Sequence, residues 1–215
     1  IGAVSAVDSG NATDLGSNEA VLDTLDVSLN ENIGYGVEDV ASDNLTSSSY
    51  TSTKDNYNQY FSSANGKLVS SQVEEGDTIL LDGSFSDKTF VFEKRVNIVG
   101  TSTNKLENSM ITLLSGASGS SISNLNIANT NAETYGIFLN GANNCTIKNC
   151  NIVHTGKSSY CICLANGANF NNVTDNYLKA YVITYGHFTR STPPLILSGS
   201  HNNYIANNHV EADRS

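Results

Sequence analysis

One short stretch of this 215-residue sequence, residues 180–194, concentrates side chains suited to ligand recognition. Its candidate ligand-binding residues are Tyr181, Tyr185, His187 and Arg190. Tyrosine offers a large rigid ring and arginine a fork of donors, so both are frequent in recognition hot spots. We therefore predict a binding site in this stretch. The alternative hypothesis is that its apolar side chains only cover the side of the fold.

Carboxylates are the second kind of residue that could do chemistry. A glycosidase needs a carboxylate pair about 5 to 10 Å apart, and a calcium-dependent lyase needs several carboxylates together with a base. Between Ile111 and Val210 the acidic residues are Glu133 and Asp175, which are widely separated. We therefore expect no catalytic residues and no enzyme activity, with a polysaccharide lyase or hydrolase as the alternative.

The histidines do not have the spacing of a metal site. They are His154, His187, His201 and His209, and no three of them share a spacing that would bring them together. The sequence thus predicts no metal and no cofactor.

An internal repeat must position these residues. Four segments align so that Gly116, Gly141, Gly167 and Gly199 fall in register, spaced by 25, 26 and 32 residues. Apolar and polar residues alternate in short bursts within each segment, which indicates β-strands separated by turns. Short strands repeated at this period predict one fold class, an all-β, right-handed parallel β-helix. The longer third spacing places the stretch 180–194 in an insertion that bulges between coils.

Four apolar columns should fill the interior of this solenoid. We expect them at Ile111/Ile137/Ile162/Leu195, Leu113/Leu139/Leu164/Leu197, Ile122/Ile147/Val173/Ile205 and Ile127/Ile152/Leu178/Val210. A polar column lies between the last two, at Asn124, Asn149, Asp175 and Asn207. Asparagine tolerates the left-handed backbone of a sharp corner, and stacked amides can form a hydrogen-bonded ladder. The sequence therefore predicts a structural ladder at these four positions.

The four cysteines are predicted to be free thiols. In the repeat register Cys150 stacks between Leu125 and Asn176, and Cys145 stacks between Ser120 and Asn171. The remaining two flank Ile162 and should face outward. No two cysteines are neighbours in adjacent coils, so no relaxed disulfide is expected.

Charge divides the chain into three regions. Residues 1–53 hold nine acidic side chains and no Lys or Arg, which is typical of a flexible leader or spacer. Residues 54–76 are expected to form a cap with a short helix, and residues 77–215 about five coils, with more coils expected after Ser215.

Small residues at Val4 and Ala6 resemble a signal cleavage site, and four sequons at Asn11, Asn44, Asn144 and Asn172 fit a secreted chain.

The composition excludes two classes of partner. The net charge of −10 opposes nucleic-acid binding, because phosphate recognition needs a basic face. No apolar run is long enough to span a membrane.

Several motifs resemble a known family, and they lie at 60–67, 76–79, 96–100, 109–113, 136–147 and 186–193. The sequence between residues 57 and 215 is similar to the adhesin-like surface proteins of methanogenic archaea. The repeat itself is shared with pectin-lyase-like and periplasmic copper-accessory proteins, so it indicates fold more than function. The resemblance implies an extracellular, cell-surface location and attachment to a glycan or protein of a neighbouring cell. We expect a monomer, and the remaining alternative to adhesin or enzyme is a structural spacer of the cell envelope.

Overall fold

The computed structural model describes residues 47–185, 188–190 and 193–214, and these form a parallel β-solenoid of about five turns. The elements of its first half are β1 (Ser49–Ser52), α1 (Tyr57–Tyr60), β2 (Thr78–Leu81), β3 (Ser84–Ser86), β4 (Thr89–Phe92), β5 (Asn97–Gly100), β6 (Lys105–Glu107), β7 (Met110–Leu114), β8 (Ser121–Ser123) and β9 (Asn126–Asn129). Those of its second half are β10 (Tyr135–Asn140), β11 (Thr146–Lys148), β12 (Asn151–His154), β13 (Tyr160–Ala165), β14 (Asn172–Thr174), β15 (Tyr177–Tyr185), β16 (Phe188–Arg190), β17 (Leu195–Ser198), β18 (Tyr204–Ala206) and β19 (His209–Arg214). A 3-10 turn, Ser115–Ala117, follows β7.

The strands stack into three parallel sheets that the chain visits in turn. Sheet 1 contains β1, β2, β5, β8, β11, β14 and β18. Sheet 2 contains β3, β6, β9, β12, β15 and β19, and sheet 3 contains β4, β7, β10, β13 and β17. Only β16 departs from this order among the described strands, because it pairs antiparallel with β15. The predicted fold class is confirmed.

All four predicted apolar columns are confirmed in register. Ile111 pairs with Ile137, and the same column continues to Ile162 and Leu195. In the other three columns, too, each predicted residue pairs with the predicted residue of the adjacent coil. Their members in the central coils are fully buried, and burying each Ile or Leu side chain contributes roughly 1.5 to 3 kcal/mol. Alternation of apolar and polar residues is therefore enough to set which face of each strand points inward.

The corner between sheets 1 and 2 differs from the prediction in one respect. Asn124, Asn149, Asp175 and Asn207 do take left-handed backbone, with φ between 54° and 58°. Their side chains are exposed, however, and none makes a hydrogen bond to any residue that the structure describes. The left-handed turn directs the next residue of each corner inward, and an asparagine ladder forms there where that residue is Asn176 or Asn208, whereas the earlier corners have Leu125 and Cys150.

The interior ladder at this corner is best seen around Asn176, which is 2% exposed. Its Oδ1 accepts from the backbone N of Cys150 at 2.9 Å, and its Nδ2 donates to the carbonyl of Ile147 at 3.1 Å. Nδ2 also donates to Oδ1 of Asn208 at 2.9 Å, which extends the ladder into the next coil. Asn171 and Asn203 form an equivalent ladder at the corner between sheets 3 and 1.

The N-terminal end begins earlier than the sequence indicates. Strand β1 pairs with β2 from Ser49 to Ser52, so residues assigned to the acidic spacer 1–53 belong to the solenoid. Residues 1–46 lie outside the described residues. Inside the expected cap at 54–76, the predicted short helix is the single turn α1, whose Tyr57 packs edge-on to Phe90 at 5.5 Å. Aromatic rings therefore fill this end of the interior.

The four cysteines are free thiols, as predicted, but all of them are buried. The expected outward placement is wrong for Cys161, which belongs to the buried core, whereas Cys163 does lie in the outward column of Phe138 and Thr112 and is covered there. Strand β13 begins at a corner, where alternation breaks down, and the Cys161 thiol donates to the carbonyls of Ile152 and Lys179. Burial raises the pKa of Cys161 to about 12 and that of Cys163 to about 11. Both groups therefore stay protonated and unreactive near neutral pH.

Candidate functional site

Within the insertion 180–194, the described strands β15 and β16 pair antiparallel as the two arms of a β-hairpin that extends from sheet 2. Strand β15 extends to Tyr185, and β16 returns so that Tyr185 pairs with Phe188 and Ile183 pairs with Arg190. Among the predicted ligand-binding residues, Tyr181 is the one whose side chain the structure describes, and it is half-buried. His187 lies outside the described residues. The interpretation of the hairpin as a ligand site therefore stays a prediction.

A charged cluster lies beside Tyr181 on the outer face of β15 and β19. Glu211 accepts hydrogen bonds from the Tyr177 hydroxyl at 2.9 Å and from His209 Nε2 at 3.0 Å. The Lys179 ammonium lies 3.2 Å from the same carboxylate and 5.7 Å from the centre of the Tyr181 ring. These hydrogen bonds, led by that of His209, lower the pKa of Glu211 to about 2. The carboxylate therefore stays ionised at all but strongly acid pH.

A polar groove follows the corner between sheets 1 and 2. We call it the asparagine groove. It has a volume of about 500 Å³, and its lining includes Thr101, Ser102, Asn124, Asn126, Asn149 and Asn151. The groove exists because the second coil turns this corner with a four-residue loop, Thr101 to Asn104, whereas later coils use two residues. The longer loop forms a wall above the tight corners, which form the floor.

The wall of the groove is held rigidly. The Asp82 carboxylate accepts hydrogen bonds from the hydroxyls of Thr101, at 2.6 Å, and Thr103. These two bonds, that of Thr101 first, lower the pKa of Asp82. At the end of the loop, Asn104 donates to the carbonyl of Leu81 and accepts from the backbone N of Asn126 at 3.0 Å. The loop is thus tied to the coils on both sides of it.

The floor of the groove presents unused amide groups. Asn124 and Asn149 are exposed, and no described residue satisfies their side-chain donors and acceptors. Beside them, Asn151 Nδ2 donates to Asn126 Oδ1 at 3.3 Å, and both amides keep further capacity. No side chain that lines the groove carries a charge. Such a surface suits a neutral ligand that is rich in hydroxyl groups.

Along sheet 2 the amides continue into an aromatic platform. Asn126, Asn151, Tyr177 and His209 occupy successive rungs of one outward column. The rings of Tyr177 and His209 are stacked, with centres 5.4 Å apart and planes 9° apart. This strip connects the asparagine groove with the charged cluster and with Tyr181.

Sequence reasoning missed both the groove and the charged cluster. The repeat register aligns His209 with Tyr177, but Glu211 follows directly after Val210, the last residue of the aligned columns. The groove depends on a loop of unequal length in an earlier coil, which a repeat alignment does not reveal. Within the described residues no group of three His, Cys, Asp or Glu side chains could hold a metal ion, and no helix is long and apolar enough to cross a membrane.

Comparison of the chain with protein-family models, with curated proteins and with solved structures gives no match.

Proposed function

We propose that the protein is an adhesin-like attachment protein of the cell surface, which binds a neutral glycan of a neighbouring cell along the asparagine groove and the strip beside it. The observation that carries the proposal is the pair of exposed, unsatisfied amides at Asn124 and Asn149 in an uncharged groove. The resemblance of residues 57–215 to archaeal adhesin-like proteins supports it.

Carbohydrate is the ligand class that best matches these groups. An amide offers a donor and an acceptor side by side, which can engage two neighbouring hydroxyls of a sugar. A sugar also has an apolar C–H face, which packs on aromatic rings such as the exposed His209 and the half-buried Tyr177. Successive coils repeat the amides at the ~4.8 Å spacing of parallel strands, so an extended chain of sugars could meet the same groups repeatedly.

The enzyme alternative finds less support in the chemistry of the charged cluster. A glycosidase needs one carboxyl group that is protonated at working pH. Glu211 has three donors around it and a pKa of about 2, so it cannot supply that proton. The spacer alternative requires no binding surface at all, and the experiment below separates it from the proposal.

The test is binding of the chain to a glycan array and to whole cells, with a double variant Asn124→Gly and Asn149→Gly. Glycine retains the left-handed backbone and removes only the amide. We expect at least a tenfold loss of glycan binding with an unchanged melting temperature. Asn202→Gly is the matched control, because Asn202 is also exposed and left-handed but lies at another corner.

Four other outcomes would contradict the proposal in distinguishable ways. If the double variant binds glycan as tightly as the parent, the groove is not the binding site. Loss of binding in Tyr185→Ala/His187→Ala/Arg190→Ala alone would move the site to the hairpin. A parent that binds no glycan and no cell would favour the spacer, and release of new reducing or unsaturated sugar ends would favour the enzyme.

A further inference from the structure

Phe170 occupies a backbone conformation that does not suit it. It has a φ of +58° and its side chain is 57% exposed. The equivalent residues of the neighbouring coils are Gly119, Asn144 and Asn202, which are the types that tolerate left-handed backbone. A bulky residue at positive φ is an outlier, and such strain collects at functional positions.

The corner itself gives no reason for a phenylalanine. Its backbone is held by a separate ladder, in which the side-chain oxygens of Ser118, Asn143 and Asn169 each accept from a backbone N of the next coil at 2.6 to 3.1 Å. Asparagine at position 170 would keep this ladder and relieve the strain. The exposed part of the ring is therefore available to a group outside the folded core.

A candidate for that group lies two residues away. Asn172, Val173 and Thr174 form a glycosylation sequon. Phe170 and Asn172 are both exposed, whereas Asn171 between them is fully buried, so both side chains point away from the interior. The Asn172 side chain has no hydrogen-bond partner among the described residues. On the adjacent rung Tyr204, which pairs with Asn172, is 62% exposed.

We propose that Asn172 carries an N-linked glycan and that Phe170 packs against the apolar face of its first sugar. In the transfer step, Asn172 Nδ2 forms a bond to the anomeric carbon of a sugar on a lipid-linked phosphate or diphosphate donor. The bond from that carbon to the phosphate oxygen breaks, the phosphate leaves with the electron pair, and the amide gives up one proton. This modification is independent of the glycan-binding groove and requires that the chain is exported past a membrane-bound oligosaccharyltransferase that uses the lipid-linked donor.

The chain holds its own control. Asn144 also begins a sequon, with Cys145 and Thr146, and it is exposed like Asn172. The residue two positions before it is Ala142, which is buried and offers no ring. A glycan on Asn144 therefore lacks the aromatic partner that this arrangement provides for Asn172.

The test uses the full chain secreted from a eukaryotic host whose N-linked glycans begin with an N-acetylhexosamine. Peptide mass spectrometry reports the occupancy of each sequon. Melting temperatures are then compared for the parent, Asn172→Gln, Phe170→Asn and their double variant, and Asn144→Gln is measured with and without Phe170→Asn as the control. Phe170→Asn is expected to fold, because Asn144 and Asn202 naturally occupy the same column.

We expect Asn172 to be occupied, and its loss to lower the melting temperature by about 2 to 4 °C while Phe170 is present, as one aromatic packing contact would in a domain of this size. With Phe170→Asn, the loss of the glycan should have no effect. An unmodified Asn172 in the exported protein would overturn the proposal. So would a glycan effect that is equal with and without Phe170, or one that couples to Asn144 instead.

Discussion

At the residue scale, the position of an asparagine within a corner decides what it does. At the corner between sheets 1 and 2, an asparagine with left-handed backbone has an exposed amide, whereas an asparagine one position later points inward and is hydrogen-bonded. Asn149 and Asn176 illustrate the two roles in adjacent coils. The same residue type thus supplies both the recognition surface and the internal ladder.

Replacement of the interior residue should be costly. Asn176→Leu leaves the N–H of Cys150 and the carbonyl of Ile147 without partners, which should lower the free energy of unfolding by about 2 to 3 kcal/mol. Leucine suits the space, because Leu125 occupies this column two coils earlier. Urea denaturation measures the change, with Asn149→Gly as a control that should stay within about 0.5 kcal/mol of the parent. Equal effects would show that the ladder is not the stabilising column.

His154 makes stability depend on pH in a defined window. It is 1% exposed, Gly156 donates to its Nδ1, and its Nε2 lies 3.0 Å from the Thr134 hydroxyl. Since Nδ1 accepts, the proton is on Nε2 and the ring is neutral. Burial lowers the pKa of His154 to about 4, from 6.5. Below pH 6.5 the unfolded chain binds a proton that the folded chain does not take up until about pH 4.

Acidification through this window should therefore destabilise the fold by a total of about 3 kcal/mol. His154→Asn should remove this slope, because Asn129 occupies the same column in the preceding coil and hydrogen-bonds there. Urea midpoints at several pH values between 7 and 4 measure it. If the urea midpoint falls equally with pH in the variant and in the parent, the pH dependence comes from other groups.

At the element scale, the interior columns could be predicted and the corners could not. Within a strand, side chains alternate strictly, so Ile137 and Leu139 identify the inner face from the sequence alone. At a corner one left-handed residue resets the alternation, and the two neighbours Asp175 and Asn176 are equally polar. Only coordinates show which of them points inward, and the same break explains the misplaced thiol of Cys161.

The N-terminal strand depends on one buried carboxylate. Asp77 is 4% exposed and accepts hydrogen bonds from the backbone N of Ser48 and of Glu74, both at 2.7 Å. Asp77→Ala should release β1 and cost about 2 to 3 kcal/mol, because two charge-assisted bonds are lost. Hydrogen exchange of residues 49–52 measures the release, and Asp55→Ala removes an equal charge from an exposed position as a control. Retained protection of β1 in Asp77→Ala would contradict this role.

At the scale of the whole molecule, the solenoid behaves as a stack in which each coil contacts only its neighbours. Its stability should then be the sum of coil-to-coil interfaces rather than the product of one central core. A given side chain contributes according to how many of its neighbouring coils are present. Ile147 and Ile205 lie in the same column, so the cost of the same substitution can be compared between an inner coil and the last described coil.

Ile147 is fully buried between Ile122 and Val173, whereas Ile205 packs on Val173 and is 39% exposed. Ile147→Ala leaves a cavity closed on both sides and should cost about 3 to 4 kcal/mol. Ile205→Ala removes a side chain that is already partly hydrated, so its cost should be about 1 kcal/mol. Urea denaturation of the two variants measures the difference. Equal costs would mean that the coils do not contribute as independent, nearest-neighbour layers.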